Sequence, residues 1–502
     1  MVKIGEIINQ NPWWKYGGEF SSFDVDLTVL RNQRIAIERR WIDLKVGDIC
    51  IIRGCRQIGK TTYMKTYVKK LISDGVEPRR ILYLSVDRFF VSRRELRRAI
   101  DYFLRRNRDA NEVFILLDEI TALENWNLEL KYLSDSGITK RARILVTGSS
   151  GEALRRVGEQ LPGRGLEGNE YFMRPLSFRE FILQTSNYFA SHAESSELVR
   201  SLQLLVRNLR EISLTLEEPL DEIINVVDSI LPFKDELEYL FEHYLRCGGF
   251  PIAINEYVEN VLVEKKEDFF RPDLPEVFVR IVLGELTKYG KNEMTARRIL
   301  REILDKYGGR FTLTKLERDI NVNHVTIGTY LDFMENSFIL SVLYAYDFNK
   351  QDVKYKGSKK VYFQDPFIFH SLKSALTGNE INDVIRETLA DEEALSKIIE
   401  GIVFSHLLAS KEIPYLKEKN TFLWFYYDNK GREIDYILKK NEDLLGIEVK
   451  YRNDVGLNDV TRINEIENYI ILSKDDIIES EHTIVVPAVP LLALLKKSKH
   501  NI

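Results

Sequence analysis

Only three cysteines, Cys50, Cys55 and Cys247, occur in 502 residues. Their spacing fits no zinc site, and an odd number of thiols builds no secreted disulfide framework, so a reducing cytoplasm is expected. Apolar runs are short as well. None reaches the roughly 18 residues that a membrane helix needs. The best stretch, TIVVPAVPLLALL at 483–495, carries two prolines and reads as a buried strand, a turn and a helix. The opening MVKIGEIINQNPWWKYGG has no signal-peptide pattern, so no membrane partner is expected. Charge of one sign is not in large excess. The formal net charge is -5, which leaves any polyanionic partner to local basic patches. Five methionines and seven histidines beside 30% charged residues suit a thermophilic source. No internal repeat or low-complexity linker is present.

What is there is a globular chain with 44% hydrophobic residues. At roughly 100–200 residues per domain the length suggests about three domains. Short apolar runs at 49–54, 81–87, 113–119, 143–150 and 171–176 alternate with amphipathic stretches. That pattern predicts a parallel sheet covered on both faces, within an α/β segment spanning 1–176. Trp13, Trp14 and Trp41 are available to pack on it. Residues 177–291 read as helical, with an inserted helical hairpin near 186–216 and a forced turn at Gly248, Gly249 and Pro251. Residues 292–350 read as helices and a β-ribbon, a winged helix-turn-helix. Residues 351–502 form a second α/β segment, with strands expected at 360–363, 421–427, 433–438, 444–449 and 470–472 and a helix at 394–409.

The most specific signal is Gly54, Cys55, Arg56, Gln57, Ile58, Gly59, Lys60 and Thr61, followed by Thr62. It follows an apolar strand and opens a helix. In a loop of this kind, glycines let backbone N–H groups turn toward phosphate oxygens, a lysine reaches the β- and γ-phosphates, and a hydroxyl ligates Mg²⁺. ATP and Mg²⁺ are the expected cofactors. The apolar strand VFILLDE ends in Asp118, suited to holding Mg²⁺, and Glu119, suited to polarising water. The strand ending Val146, Thr147, Gly148, Ser149 offers a hydroxyl, Thr147 or Ser149, to sense the γ-phosphate or the lytic water; a simple strand-end turn is the alternative. Arg164, in LPGR, is a candidate arginine finger toward a neighbouring protomer's nucleotide, which requires an oligomer; an exposed loop arginine is the alternative.

These motifs, with NPWW at 11–14, LLDEI at 116–120, RPLSFREF at 174–181, GGFP at 248–251 and KKVYFQDPFIFH at 359–370, resemble an archaeal and bacterial family of AAA+-type P-loop ATPases. The resemblance covers nearly the whole chain. It implies ATP hydrolysis, an assembly around a ring (a hexamer), a helical lid at 177–291, and a C-terminal domain similar to PD-(D/E)XK nucleases. The segment 185–240 is longer than the family pattern, so no second sensor arginine carries over.

Independently of the resemblance, Asp435 and the Glu448-Val449-Lys450 run sit where a hairpin puts alternate side chains on one face. Two carboxylates there suit Mg²⁺ and the lysine suits water activation, with Glu400 from the preceding helix completing the cluster. The bland alternative is a solvated hairpin, and a third is a nuclease fold that binds nucleic acid without cutting it. Residues 88–108 hold eight arginines. Arg88, Phe89, Phe90, Arg93, Arg94 and Arg97 are candidate DNA contacts, by charge and stacking; a solvated helix face is the alternative. Asn323, His324, Thr326 and Thr329 lie on the expected recognition helix. The expectation is a Mg²⁺-ATP-dependent ATPase that remodels or translocates DNA as a ring. The rivals are a nucleotide-gated defence or signalling switch, an ATP-regulated DNA nuclease, and a protein-remodelling ATPase.

Overall fold

A computed structural model describes residues 4–90, 92–148, 169–288, 290–411 and 416–502. The chain forms two compact units. The first comprises residues up to 174 together with 336–338 and 499–502, and the second comprises 175–335 and 339–498. Among the described residues no helix is long and apolar enough to cross a membrane.

The first unit is built on β1 (Ile49–Gly54), β2 (Ile81–Ser85), β3 (Val113–Asp118), β4 (Ala142–Gly148) and β5 (Glu170–Met173), in the order β2-β3-β4-β1-β5 and parallel throughout. Nearly every strand residue is buried. That double-sided burial is why the strands read as continuous apolar runs and not as alternations. Leu96, Ile100 and Phe103 of the helix Arg93–Arg106 pack on Leu82, Leu84, Ile115 and Val146.

Among the described residues, both sheet edges are covered without further strands. On β2, Asn11 acts as a surrogate strand residue: its side chain accepts from Tyr83 N at 2.7 Å and donates to Tyr83 O at 2.9 Å. Gln10 accepts from Ser85 N at 2.7 Å, and the Trp13 and Trp14 indoles both donate to Ile81 O. On β5, Phe172 N donates to His500 O and Ile502 N to Phe172 O. An open edge would offer these groups to another chain. Trp41 does not join its two fellows on the sheet. It lies 43% exposed against the Tyr63 and Tyr67 rings of the helix Lys60–Ser73.

In the second unit, helices Phe178–His192 and Ser196–Glu211 form the hairpin, beginning earlier than the sequence suggested, and helices Lys234–Cys247 and Pro251–Val258 flank the glycine turn. The turn needs glycine for want of space. A Cβ on Gly248 would lie 2.0 Å from Asp365 Oδ1, and one on Gly249 2.2 Å from Leu176 O. Gly249 N donates to Asp365 Oδ2 at 2.7 Å, and Leu176 N donates to Gly249 O.

Helices Glu293–Asp305, Leu313–Ile320 and His324–Asn336 lead into β6 (Leu340–Tyr344). After the short pair β7 (Tyr346–Asp347) and β8 (Asp352–Val353), the antiparallel partner of β6 is β9 (Lys359–Phe363). The ribbon therefore closes beyond residue 350, and the strand expected at 360–363 in the C-terminal sheet belongs to it instead. The C-terminal sheet contains β10 (Leu423–Tyr427), β11 (Glu433–Lys440), β12 (Asp443–Val449), β13 (Asn468–Ser473), β14 (Ile478–Ser480) and β15 (Thr483–Pro487), in the order β10-β11-β12-β13-β15-β14. A helix, Ala488–Leu494, follows β15.

Replacing Asn11 by Ala strands the N–H and C=O of Tyr83 at a buried edge. Each stranded group costs about 1–3 kcal/mol. Asn11→Ala is expected to lower stability by about 2–4 kcal/mol, read as a lower urea midpoint by tryptophan fluorescence with an unchanged slope. A loss below about 0.5 kcal/mol, the size of an ordinary surface change, contradicts the edge-closing role.

Candidate functional site

β1 delivers the chain to Gly54, where a Cβ would stand 2.4 Å from Met173 O on β5. Only glycine allows that approach. Beyond it the backbone turns through left-handed conformations at Gln57 (φ 60°) and Gly59 (φ 100°), the second of which suits glycine. Cys55 and Ile58 are buried and anchor the loop, while Gln57 is exposed and Arg56 and Thr62 are half-buried. Gly59 then caps a 14-residue helix whose first residue is Lys60. A Cβ placed on Gly59 meets nothing within 4 Å, so space is open in front of the loop at that point.

The chemistry-bearing groups converge at the tips of β1, β3 and β4. Lys60 Nζ donates to Gly54 O at 3.0 Å and Cys55 O at 3.1 Å, and stands 3.7 Å from Glu119 Oε1. Thr61 Oγ1 donates to Asp118 Oδ2 at 2.8 Å, and Thr147 Oγ1 donates to Asp118 Oδ1. Glu119 N donates to Thr147 Oγ1 at 3.0 Å, which ties the second acid to β4. Glu119 itself has a left-handed backbone, φ 51°, a conformation costing a non-glycine residue about 1 kcal/mol or more and often found at functional sites. Burial raises the Asp118 carboxyl above its ordinary range; the Thr147 hydroxyl opposes this, Glu119 adds to it, and Thr61 and Tyr83 oppose it.

Tyr83 is a site residue that sequence reasoning missed. Its hydroxyl donates to Asp118 Oδ2 at 2.8 Å, beside Thr61. A tyrosine inside the apolar strand ILYLS was the one available signal. Lys65 Nζ lies 4.4 Å from the Tyr83 ring centroid and pairs with Asp24 at 2.9 Å.

This arrangement fits a Mg²⁺-nucleotide. Lys60 and a helix N-terminus would face the anion, and Thr61 and Asp118 would offer oxygen to a hard cation. Ser149 and Arg164 lie outside the described residues.

The arginine-rich segment is less free than its composition implies. Arg97 makes two bonds to buried Glu129, at 2.8 and 3.2 Å, and its guanidinium covers the Tyr132 ring at 3.8 Å. Arg93 stands 3.7 Å from Glu129. Arg88 and Arg94 are exposed. Phe90 corrects the sequence reading: after the short helix Val86–Phe89 it turns into the sheet's core, 5% exposed, and cannot stack on a polymer. The Phe89 side chain lies outside the described residues.

In the second unit, Glu400, Asp435, Glu448 and Lys450 do come together. The β11–β12 register Tyr436↔Ile447 brings Asp435 beside Glu448, and Lys450 Nζ is 3.2 Å from Glu448. The centre of the cluster was not anticipated. It is Lys360 of β9, bonded at 3.0 Å to both Glu400 and Asp435. Tyr362 donates to Glu400 as well. Burial pushes the Glu448 carboxyl up to about 9, the Asp435 charge adds to the shift, and Lys450 opposes it. Burial raises Asp435 too, but Lys360 and the Val449 N–H outweigh it and leave the carboxyl low.

Glu448 therefore stays protonated in the fold while an unfolded chain ionises it near 4.5. A raised acid of this kind stabilises most below about 4.5 and loses that contribution as pH climbs toward 9. Glu448→Gln removes the titration. Wild-type stability is expected to fall with pH relative to the variant, by at most about 1.4 kcal/mol per pH unit. Urea unfolding at several pH values between 5 and 9 checks this; parallel profiles contradict it.

Residues 47–182 match the family model described as an AAA domain, residues 238–380 that of a domain of unknown function (DUF8612), and residues 395–491 that of a domain of unknown function (DUF4143). The chain is 25% identical to Uncharacterized protein MJ1637 of Methanocaldococcus jannaschii, over 75% of this chain and 72% of that protein. It is 23% identical to Uncharacterized protein MJ1544 of the same organism, over 89% and 85%. An uncharacterized protein of Haemophilus influenzae is 22% identical over 84% and 87%. The AAA match spans the phosphate loop and all five strands of the parallel sheet, and suggests a nucleotide-binding P-loop NTPase, usually one that uses Mg²⁺.

Proposed function

We propose that the chain is a Mg²⁺-ATP-dependent AAA+ ATPase that binds DNA and remodels or translocates it as a hexameric ring. The observation that carries the ATPase reading is that Lys60 stands 3.7 Å from Glu119 while Thr61, the next residue of the loop, donates to the adjoining buried Asp118 at 2.8 Å. Bound Mg²⁺-ATP supplies the phosphoryl group that water attacks. Lys60 gives up its carbonyl partners to hold the β- and γ-phosphate oxygens. Thr61 and Asp118 would hold the metal, which would supply positive charge to the phosphates. Glu119 orients the attacking water and receives its proton. Thr147 keeps Asp118 and Glu119 in register, and Arg164 completes the neighbour's site.

Support for DNA comes from surface chemistry. Arg88, Arg94 and Arg98 are exposed, while Arg93 and Arg97 are partly committed to Glu129. Asn323, His324, Thr326 and Thr329 are exposed on the helix His324–Asn336 or at its start, and the three helices with the β6–β9 ribbon follow the order of a winged helix-turn-helix.

Glu119→Gln is expected to keep nucleotide binding and lose about 10²–10⁴-fold in turnover, the range for a lost general base, with Lys60→Ala losing binding as well; steady-state phosphate release with and without duplex DNA reads both. Turnover surviving in Glu119→Gln contradicts the assignment. The double variant Arg94→Ala, Arg98→Ala is expected to weaken duplex binding and to flatten its salt dependence by roughly one log–log unit per lost phosphate contact. Unchanged affinity and slope contradict the DNA face.

A further inference from the structure

The C-terminal carboxylates close around an ammonium group. The Lys360 side chain is 1% exposed, and its Nζ lies 3.0 Å from Glu400 Oε1, 3.0 Å from Asp435 Oδ1 and 2.7 Å from Glu433 Oε1. Three carboxylate oxygens, from one helix and one strand, gathered on a single point are what a hard divalent ion otherwise demands. Here a strand of the neighbouring ribbon fills that point with its own tethered charge.

The second oxygens of Glu400, Asp435 and Glu433 are taken too. Glu400 Oε2 accepts from Lys397 at 3.0 Å, Asp435 Oδ2 from Val449 N at 3.1 Å, and Glu448 Oε2 pairs with Lys450 at 3.2 Å. Glu433 Oε2 pairs with Arg310 at 2.8 Å. Glu400, Glu433 and Asp435 thus face Lys360, Lys397 and Arg310, while the protonated Glu448 lies beside Lys450. The negative charge is met with no metal present. Among the described residues no group of three or more His, Cys, Asp or Glu side chains is arranged to hold a metal ion.

We propose that Lys360 is a resident cation that stands in for a divalent metal, closing this site to Mg²⁺ and Mn²⁺ and making the C-terminal domain a fold that does not cleave nucleic acid. The proposal goes beyond the ATPase reading and does not depend on it. A buried ammonium is tolerated only when its partners offset the lost hydration, and three carboxylates do so. The converse also holds: removing the ammonium leaves three carboxylate oxygens, one each from Glu400, Glu433 and Asp435, without their cation around a vacated volume, the condition under which an oxygen-seeking ion enters. Methionine matches much of the lysine stem and carries no charge, so it keeps the packing while opening the centre.

The test is Mn²⁺ binding to the nucleotide-free full chain, counted from the loss of the free-ion paramagnetic resonance signal. Wild type and Asp435→Asn are expected to bind the same number of ions. Lys360→Met is expected to gain one ion per chain and to lose it again when combined with Asp435→Asn. Circular dichroism and a thermal melt establish that each variant is folded. A wild-type stoichiometry that drops by one in Asp435→Asn overturns the proposal, as does a folded Lys360→Met that gains nothing. Should Lys360→Met not fold, plasmid nicking decides. Mg²⁺-dependent nicking by wild type that Asp435→Asn abolishes overturns the proposal, and its absence supports it.

Discussion

A buried carboxylate at the end of an apolar strand is the constraint on which the first unit turns. Asp118, 2% exposed, must have its oxygens satisfied or neutralised. Three hydroxyls do this, one each from the phosphate-loop helix, β2 and β4. Those bonds fix where Thr61 sits, and with it the first turn of the helix that Lys60 opens. They also tie the amino-terminal segment to the site. Asn11 grips the Tyr83 backbone on both sides, and Tyr83 grips Asp118.

Two lysines in this chain show how surroundings divide one side chain into two jobs. Lys60 is buried but is held by neutral carbonyls, with the partly exposed Glu119 at 3.7 Å. Its charge is poorly compensated, and it faces a loop with open space at Gly59. Such a cation is poised for an anion. Lys360 is buried among three carboxylates at 2.7–3.0 Å and has nothing left to give. The first arrangement suits a ligand that comes and goes; the second suits a permanent structural charge.

Much of this was legible in the sequence, for identifiable reasons. Parallel strands buried on both faces leave continuous apolar runs, so β1 to β5 could be placed within a few residues, and the phosphate loop announces itself through glycine spacing. The Asp435–Glu448 pairing was legible because the side chains of a hairpin alternate. What escaped were pairings distant in sequence. β6 finds its partner in β9 across the short β7–β8 pair, so a boundary drawn at 350 hid both the ribbon's closure and Lys360. Arg97 meets Glu129 from a separate helix, which a count of local charges cannot reveal. Phe90 follows a charged turn and reads as a surface aromatic, yet the chain returns it to the sheet's core. Tyr83 looked like one more strand residue, since its hydroxyl gains meaning only once β3 lies beside β2.

The central claim is that the tips of β1, β3 and β4 bind a magnesium-bound triphosphate. Calorimetric titration of the full chain with a non-hydrolysable ATP analogue examines this most directly. The account predicts one analogue per chain in Mg²⁺, with affinity falling at least about tenfold, or 1.4 kcal/mol, when the metal is chelated. No binding heat at any accessible concentration, or binding indifferent to the metal, contradicts it.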